Sequence, residues 1–323
     1  MLAAEWRHYR LDFTFTAITS REKLRHKDTY YIKVWDTGHP DVAGWGEAGL
    51  FAGLSCDDRP DYEKMLSCVC GDMEHYADDL TRLAEWPSIR FGLETALLDL
   101  SNGGRRMIHD TPWSRGKSSM RINGLIWMGD FDTMSARIME KATQGFRCIK
   151  LKIGGIDFAQ ELELLRRIRA LVPEAEIRLD ANGAFPPERA MNRLTQLAEI
   201  GIHSIEQPIR QGQWAEMARL CRNTPIPIAL DEELIGLNTP ERRQAMMECI
   251  RPQYIILKPT LIGGMQASDE WIALARKYGA GWWATSALES NVGLNAIAQW
   301  VSTHSPALPQ GLGTGQLYSN NIS

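Results

Sequence analysis

The sequence has no long hydrophobic run: no uncharged apolar segment approaches the roughly 18 residues that a membrane-spanning helix needs. The N-terminus also lacks the apolar core of a signal peptide, and carries Glu5, Arg7, His8 and Arg10 in that place. Both absences argue against a membrane-bound or secreted protein. We therefore expect a cytoplasmic protein without a membrane partner.

Cysteine and positive charge are also in short supply. Only two of the six cysteines, Cys68 and Cys70, lie close together, and their one-residue gap is not the spacing of a zinc site. Scattered cysteines in a chain of 323 residues indicate reduced thiols rather than a disulfide framework. The formal net charge of −4 offers no basic surface, so we expect no nucleic-acid partner.

The first third of the chain has the pattern of an α+β domain, which we place at residues 1–117. Aromatic and β-branched residues predict antiparallel strands, and leucines and alanines at helical spacing predict a helix after them. A polar stretch between the first two strands reads equally as a mobile flap or a solvated loop. The predicted strands are Trp6–Phe15, Tyr30–Trp35 and Gly44–Gly49, the helix is Ser88–Leu100, and the polar stretch is Thr16–Lys27.

From residue 118 onwards, short β-rich runs alternate with amphipathic helical segments. Such alternation predicts a parallel sheet, and seven or eight units in succession predict a closed barrel. The predicted fold is α/β, a TIM-like (β/α)7β barrel at 118–310, with the last strand and the start of a C-terminal tail at 311–323. The predicted strands are Arg121–Trp127, Cys148–Ile153, Glu176–Ala181, Ser204–Gln207, Ile226–Asp231, Tyr254–Lys258 and Gly281–Ser286.

Ionisable residues recur in phase with these strands. Lys152, Asp180, Glu206, Asp231 and Lys258 are separated by 28, 26, 25 and 27 residues, and one βα unit of a barrel takes roughly 30 residues. Each residue should therefore lie at the carboxyl end of its own strand, where barrel enzymes place their chemistry. A single aspartate there would more often be a helix cap, but five charged residues in phase indicate one site.

The three carboxylates of this set, Asp180, Glu206 and Asp231, predict a metal site. Close together they would repel one another strongly unless a hard divalent cation lay between them. No histidine or cysteine recurs in phase, which argues against zinc. Mg²⁺ fits an all-carboxylate site with room for substrate, and Mn²⁺ is the alternative that the residues leave open.

The lysines predict proton transfer. Lys150 and Lys152 are two apart on a strand, so both should point into the barrel mouth, and near a divalent cation each should lower the pKa of the other. Lys258, four strands further round, should approach from the opposite side. Two lysines and a metal suit removal of a proton next to a carboxylate, because the enediolate that forms concentrates negative charge. The same combination is known from enolase-superfamily sites.

At these residues the chain resembles the enolase superfamily, in its muconate-lactonising-enzyme-like subgroup. The segments KLK, LDAN, EQP, LDE and LKPTLIGG resemble the second to sixth barrel strands of that subgroup, and WGEAG and RFGLETALLDL resemble its capping domain. The resemblance implies that Lys150 and Lys152 form the KxK pair, with Lys152 as acid and base, and that Lys258 lies opposite. It also implies that Asp180, Glu206 and Asp231 bind the metal.

Within the subgroup, the segments INGLIWMG, TSALESNVGLNAIAQW and GLGTGQLYSNN resemble the o-succinylbenzoate synthase family of menaquinone and phylloquinone biosynthesis. This resemblance implies a lyase that carries out a syn dehydration of a cyclohexadiene carboxylate. Lys152 would remove the α-proton and then protonate the departing hydroxyl, while Lys258 would hold a positive charge against the ring. Members usually continue beyond the last segment, so we expect the tail that packs on the capping domain to be short or missing.

Substrate contacts follow less directly. Asn182 shares a strand face with Asp180, and Ser286 lies where a strand end opens a helix whose amides could hold the substrate's succinyl carboxylate. Gly313 and Thr314 could hold the same carboxylate from the last strand. Small residues in barrel loops are also common turn formers. Arg178 resembles the arginine of the family's RLDAN segment, and either assists the substrate or pairs with a carboxylate.

Other functions stay open. N-succinylamino-acid racemase or dipeptide epimerase would use Lys152 and Lys258 as two bases on opposite faces. The epimerases typically carry a DxD motif on the eighth strand, and GLGTGQLYSNN has no aspartate. A cycloisomerase is a weaker option, and a non-catalytic barrel would not explain the complete charged set. The expected partner is a small carboxylate substrate, and the sequence leaves the oligomeric state open.

Overall fold

The computed structural model describes residues 1–18 and 23–322. An antiparallel sheet of three strands opens the chain, in the order β1 (Leu2–Ile18), β2 (Lys23–Asp36), β3 (His39–Ala48). The first two strands are longer than predicted, because β1 and β2 pair continuously from Leu2 with Asp36 to Asp12 with His26. Most of the polar stretch that was expected to be a loop is therefore strand, and its residues 19–22 lie outside the described residues.

Three helices cover one face of this sheet: α1 (Tyr62–Gly71), α2 (Met73–Asp78) and α3 (Pro87–Ser101). Helix α3 lies so close to β3 that a Cβ on Gly46 would come within 1.8 Å of the carbonyl oxygen of Gly92. Only glycine permits such an approach of two backbones. Buried residues of β2, α1 and α3 form the core of this capping domain: Ile32, Val34, Leu66, Ile89 and Leu93.

Seven parallel strands follow, each hydrogen-bonded to the next in chain order. They are β4 (Gly124–Ile126), β5 (Cys148–Lys152), β6 (Glu176–Asp180), β7 (Ser204–Glu206), β8 (Ile228–Leu230), β9 (Tyr254–Leu257) and β10 (Gly281–Ala284). The helices between and after them are α4 (Phe131–Thr143), α5 (Phe158–Leu171), α6 (Pro187–Ala198), α7 (Trp214–Asn223), α8 (Pro240–Ile250), α9 (Pro259–Ile262), α10 (Gly264–Tyr278) and α11 (Asn291–Thr303).

The sheet closes into a barrel through a very short eighth strand. Gln310 donates its amide to the carbonyl of Arg121 on the β4 side, at 2.8 Å, and Gly311 donates to the carbonyl of Ala284 at the end of β10, also at 2.8 Å. The same two residues form the parallel bridges that join the sheet edges. The α/β class, the (β/α)7β barrel and the antiparallel cap are thereby confirmed.

The segment after the eighth strand packs against the cap. The carbonyl of Leu317 accepts the amide of Thr14 at 2.8 Å, and the amide of Ser319 donates to Asp12 at 2.9 Å. The rings of Phe13 and Tyr318 lie 4.7 Å apart. Of the two alternatives, a short tail or a missing one, the second is ruled out, because residues of the tail join β1.

The predicted domain limit at residues 117 and 118 lies between α3, which ends at Ser101, and β4, which begins at Gly124. The two parts have separate apolar cores, one in the cap and a larger one in the barrel. Among the helices of residues 1–18 and 23–322, none is both long and apolar enough to cross a membrane.

Candidate active site

The five phased residues meet at one end of the barrel. Lys152, Asp180 and Glu206 are the last residues of β5, β6 and β7, and Asp231 and Lys258 directly follow β8 and β9. Parallel strands bring their carboxyl ends to the same rim. The spacing of these residues therefore predicted the rim on which the structure places their side chains.

Each lysine contacts a carboxylate. Lys150 Nζ lies 2.5 Å from Glu206 Oε2 and 3.0 Å from Asp180 Oδ2. The Nζ of Lys152 lies 2.9 Å from the same Asp180 oxygen. Across the barrel, the Nζ of Lys258 lies 2.5 Å from Oδ2 of Asp231. We call these three lysines and three carboxylates the mouth cluster.

The mouth cluster borders a cavity of about 270 Å³. Lys150, Lys152 and Lys258 line it, so ammonium groups reach it from two sides of the barrel. The remaining wall comes from the cap and from the strand ends β4 and β10, and it is largely apolar. Its residues include Phe51, Leu54, Leu125, Trp127 and Leu288.

The protein's own charges hold two lysines of the mouth cluster, Lys150 and Lys258, in their charged form. Burial lowers the pKa of Lys150, but attraction to Asp180, Glu206 and Asp231 outweighs it and raises that pKa above its usual range. Lys258 behaves alike, because Asp231 and a neighbouring glutamate outweigh burial. The prediction that Lys150 or Lys152 has a lowered pKa includes the charge of a divalent cation, whereas the protein's own charges raise the pKa of Lys150.

The carboxylates differ from one another. Burial would raise the pKa of Asp180, but three lysines hold it below its usual range. Burial raises the pKa of Glu206 to about 7, and the attraction of Lys150 only partly offsets this. Full burial therefore makes the charged form of Glu206 less favourable than that of Asp180.

Comparison with known proteins identifies the family of the chain. The Enolase C-terminal domain-like family matches residues 133–319. A curated o-succinylbenzoate synthase from Desulfotalea psychrophila is 45% identical over 353 aligned positions, which cover 98% of this chain and 94% of that protein. The chain belongs to the enolase superfamily.

Solved structures of the superfamily have the same fold. The crystal structure of MenC from Desulfotalea psychrophila LSv54 matches all of this chain and 96% of its own, with a TM-score of 0.86 at 42% identity. A muconate lactonizing enzyme from Pseudomonas fluorescens has a TM-score of 0.83 at 22% identity, over 99% of this chain and 89% of its own. The second match shows that the two chains share a fold.

A divalent cation fits the donor set. Buried oxygen donors dominate it, and Oε1 of Glu206 has no hydrogen-bond partner within the described chain. Among the described residues no three acidic, histidine or cysteine side chains converge as metal ligands, and each carboxylate of the mouth cluster contacts a lysine. An o-succinylbenzoate synthase from Thermosynechococcus elongatus BP-1, solved with Mg in its active site, has a TM-score of 0.80 at 22% identity over 99% of this chain and 96% of its own.

Asn182 connects Lys152 to a further buried acid, Glu232. Lys152 Nζ donates to its Oδ1 at 2.9 Å, and its Nδ2 donates to Oε1 of Glu232 at 3.0 Å. Asn182 and Glu232 both line the cavity. The second contact fixes the orientation of the amide, and so presents its oxygen to Lys152. Strand alternation found Asn182, while Glu232 was not predicted as a site residue.

The cavity is also lined, as predicted, by residues that follow β10 and the eighth strand: Ser286, Gly313 and Thr314. The hydroxyls of Ser286 and Thr314 lie 2.7 Å apart. The helix N-terminus beyond them does not hold free amides, however. Glu47 of the cap accepts the amides of Ser290 and Gly293, each at 2.9 Å. A substrate carboxylate would have to displace a buried glutamate there, so the expected role of those amides is wrong.

Arg178 does not line the cavity. It lies two residues before the end of β6, where its guanidinium stacks on Trp283 with 4.0 Å from its central carbon to the ring centre. Its Nε donates to Oε1 of Glu176 at 2.6 Å, and its Nη1 donates to the carbonyl of Pro309 at 2.8 Å. Of the two expectations, pairing with a carboxylate is correct and substrate contact is not, because two residues of strand separate it from the barrel mouth.

Two further parts of the cavity wall were not predicted from the sequence. Asn123, just before β4, lines the cavity, and its Oδ1 has no hydrogen-bond partner within residues 1–18 and 23–322. The cap segment 51–54 also lines the cavity, although it is more than 200 residues from Lys258 in sequence. No periodic signal marks either one, because neither belongs to the repeating strand ends.

Proposed function

We propose that this enzyme is an o-succinylbenzoate synthase. It dehydrates 2-succinyl-6-hydroxy-2,4-cyclohexadiene-1-carboxylate to o-succinylbenzoate, in the cytoplasm, as a step of menaquinone or phylloquinone biosynthesis. The observation that carries the proposal is the placement of Lys152 and Lys258 on two sides of one cavity, each beside a carboxylate. The full-length similarity to a synthase supports the choice of reaction.

Lys152 carries both proton transfers. In its amine form it removes the proton from the ring carbon that bears the carboxylate, and the electron pair moves into the carboxylate oxygens as an enediolate. When that pair returns, the bond to the ring hydroxyl breaks and Lys152 gives its proton to the departing oxygen. Water leaves, the ring becomes aromatic, and Lys152 is an amine again. Both transfers occur on one face because one side chain performs them.

Asn182 and Lys258 assist from fixed positions. The oxygen of Asn182 accepts a hydrogen bond from Lys152, which aims the nitrogen into the cavity. Lys258 stays charged through its contact with Asp231. Its ammonium group on the other side of the ring stabilises the negative charge that develops during proton removal.

Asp180, Glu206 and Asp231 are the residues that would hold Mg²⁺, with Mn²⁺ as the alternative. When bound, such a cation stabilises the negative charge on the substrate's carboxylate oxygens. Lys150 lies between two of these carboxylates. It limits their mutual repulsion and keeps a second positive charge close to Lys152.

N-succinylamino-acid racemisation is the second candidate, because two lysines line the cavity from different sides and could each exchange a proton. Dipeptide epimerisation has less support, since the last-strand segment has no aspartate for a substrate amine. A small carboxylate is the proposed partner in each case, and neither nucleic acid nor membrane is. The oligomeric state stays open.

A parallel assay separates the candidates. Purified protein with Mg²⁺ is given the cyclohexadiene hydroxy-acid in one cuvette and an N-succinylamino acid in another. We expect rapid dehydration, followed by the change in ultraviolet absorbance. Fast racemisation without dehydration would overturn the proposed reaction but leave the two-lysine site intact, while inertness towards both substrates would overturn the site as well.

A further inference from the structure

A second group of buried charges lies between the cap and the barrel, away from the mouth cluster. It consists of Lys27 on β2, Glu47 on β3 and Glu289 in the turn before α11, and we call it the interface cluster. Lys27 is 6% exposed and the two glutamates are fully buried. Buried charges are costly unless they are paired and hydrogen-bonded, so this cluster needs an explanation. None of its members lines the cavity.

Glu47 joins the cap to the start of α11. Its side chain accepts the amides of Ser290 and Gly293 and the hydroxyl of Ser290, the last at 2.6 Å. Within the cap it accepts the hydroxyl of Thr29 at 2.8 Å. Helix N-termini favour negative charge, so a residue from the cap stabilises a helix of the barrel. The turn that leads into this helix contains Ser286, Ala287 and Leu288, which line the cavity.

Glu289 holds that turn from the barrel side. Its side chain accepts the amide of Ala287 at 2.8 Å and the hydroxyl of Thr260 at 2.5 Å. Thr260 lies two residues after Lys258. The turn at the end of β10 and the segment after β9 are therefore tied together by one carboxylate.

Lys27 holds the third piece of the cavity wall. Its Nζ donates to the carbonyl of Gly49 at 3.3 Å, and Gly49 leads into the segment 51–54 that lines the cavity. A Cβ on Gly49 would lie 3.3 Å from Cγ of Glu289 and 3.4 Å from Cγ2 of Thr260. The backbone of the cap segment thus lies directly on the residues that tie the barrel turn.

We propose that the interface cluster positions the substrate-binding wall of the cavity. Lys27 and Glu47 fix segment 51–54 of the cap against the turn 286–288 of the barrel, although neither contacts substrate. The inference rests on the proposed function for the identity of the substrate. Because the cluster sets the wall and not the reacting lysines, its loss weakens substrate binding more than it slows proton transfer.

Glu94 provides a matched control. It is also a buried cap glutamate, and it also accepts two amides at the start of a barrel helix, those of Met265 at 2.6 Å and Gln266 at 2.9 Å on α10. Neither Glu94 nor the two residues that it holds lines the cavity. A purely structural contribution should therefore be similar for Glu47 and Glu94, and a positioning contribution should appear for Glu47 alone.

The test compares Glu47→Gln with Glu94→Gln in the full-length, Mg²⁺-loaded protein. Glutamine keeps the shape but turns an NH₂ group towards donors that need an acceptor. We expect Glu47→Gln to raise KM about tenfold, because substrate binding must then order a wall that has lost one charged hydrogen bond. The kcat should stay within about threefold of that of the parent enzyme. Glu94→Gln should lower the melting temperature and leave KM unchanged. Equal KM values for the two variants would overturn the proposal.

Hydrogen exchange gives a readout that needs no substrate. In Glu47→Gln, amides of residues 49–54 and 286–293 should exchange faster than in the parent, whereas Glu94→Gln should affect the start of α10. If the parent enzyme does not dehydrate, the proposed function fails while this measurement still decides the inference. If Glu47→Gln does not fold, Lys27→Met takes its place in this measurement. Lys27→Arg keeps the positive charge, so it should lose less protection than Lys27→Met. Unchanged exchange at 49–54 in both the glutamate and the lysine variant would overturn the positioning role.

Discussion

The molecule buries charge in two places that differ in what surrounds the carboxylates. In the mouth cluster each carboxylate contacts a lysine at 2.5 to 3.0 Å. In the interface cluster, Glu47 and Glu289 instead accept hydrogen bonds from hydroxyls and backbone amides. One cluster opens onto the cavity, and the other is enclosed between two domains.

The difference separates charges that take part in a reaction from charges that hold structure. Three lysines keep the pKa of Asp180 low, whereas burial raises the pKa of Glu289, which Lys27 and Thr260 only partly offset. Lysine side chains beside a cavity can exchange protons with a substrate. Hydroxyls and amides bound to the backbone cannot, so the interface cluster suits positioning and the mouth cluster suits catalysis.

Removal of divalent cations should lower the dehydration rate more than any other change, because the mouth cluster alone is expected to bind them. We expect a chelator to lower the dehydration rate at least about a thousandfold, because several kcal/mol of charge stabilisation are lost. Added Mg²⁺ should restore the rate, and Mn²⁺ is the alternative to try beside it. The rate is followed by absorbance. Full activity after exhaustive chelation would refute a metal site at Asp180, Glu206 and Asp231.

Lys258→Met should come next in size. The substitution removes the charge opposite Lys152 but keeps a side chain of similar length, so we expect kcat to fall about a hundredfold to a thousandfold, as for other lost charge-stabilising groups. Steady-state kinetics on the folded variant, checked by circular dichroism, measure the effect. A kcat within about threefold of the parent would mean that Lys258 merely neutralises Asp231.

A smaller effect, on the free energy of unfolding alone, is expected from a buried aspartate of the cap whose hydrogen-bond donors are uncharged. Burial raises the pKa of Asp57 in the cap to about 6, although the amide and hydroxyl of Ser88 donate to it. Its folded-state pKa lies above the unfolded value, so the folded state binds more protons between the two. Stability from this group is present below about pH 4 and is lost as the pH rises through about 6, by up to about 3 kcal/mol.

Urea unfolding at several pH values between about 4 and 6.5 tests this for the parent and Asp57→Asn. The unfolding free energy of the parent should decline with pH relative to that of the variant. Parallel curves would show that hydrogen bonds from Ser88 fully compensate for burial, and would weaken the contrast drawn between neutral and charged partners.

The barrel and its charged rim could be predicted because they repeat. The strand ends at Lys152, Asp180 and Glu206 follow from spacing alone, and the strand predicted at Cys148–Ile153 agrees with β5 to within one residue. A parallel barrel turns a regular sequence interval into a position in space. Residues that share one phase therefore share one rim.

The cap and the contacts between the domains could not be predicted in this way. Helices α1 and α2 were missed because they are short, with 10 and 6 residues, so each offers only a few turns of helical periodicity. The contacts of Glu47 with Ser290 and Gly293 join residues more than 240 positions apart, and no local pattern records such a pairing. The same reason explains why the amides before α11 were wrongly assigned to the substrate.

The most direct test of the account is the rate of dehydration by Lys152→Ala with saturating Mg²⁺. One side chain is held responsible for both proton transfers, so kcat should fall by at least about a hundredfold, and towards ten-thousandfold, as expected for a lost general acid and base. Thermal unfolding and Mg²⁺ binding of the variant establish that the site is otherwise intact. Turnover at the parent rate would contradict the central claim that Lys152 removes and returns the proton.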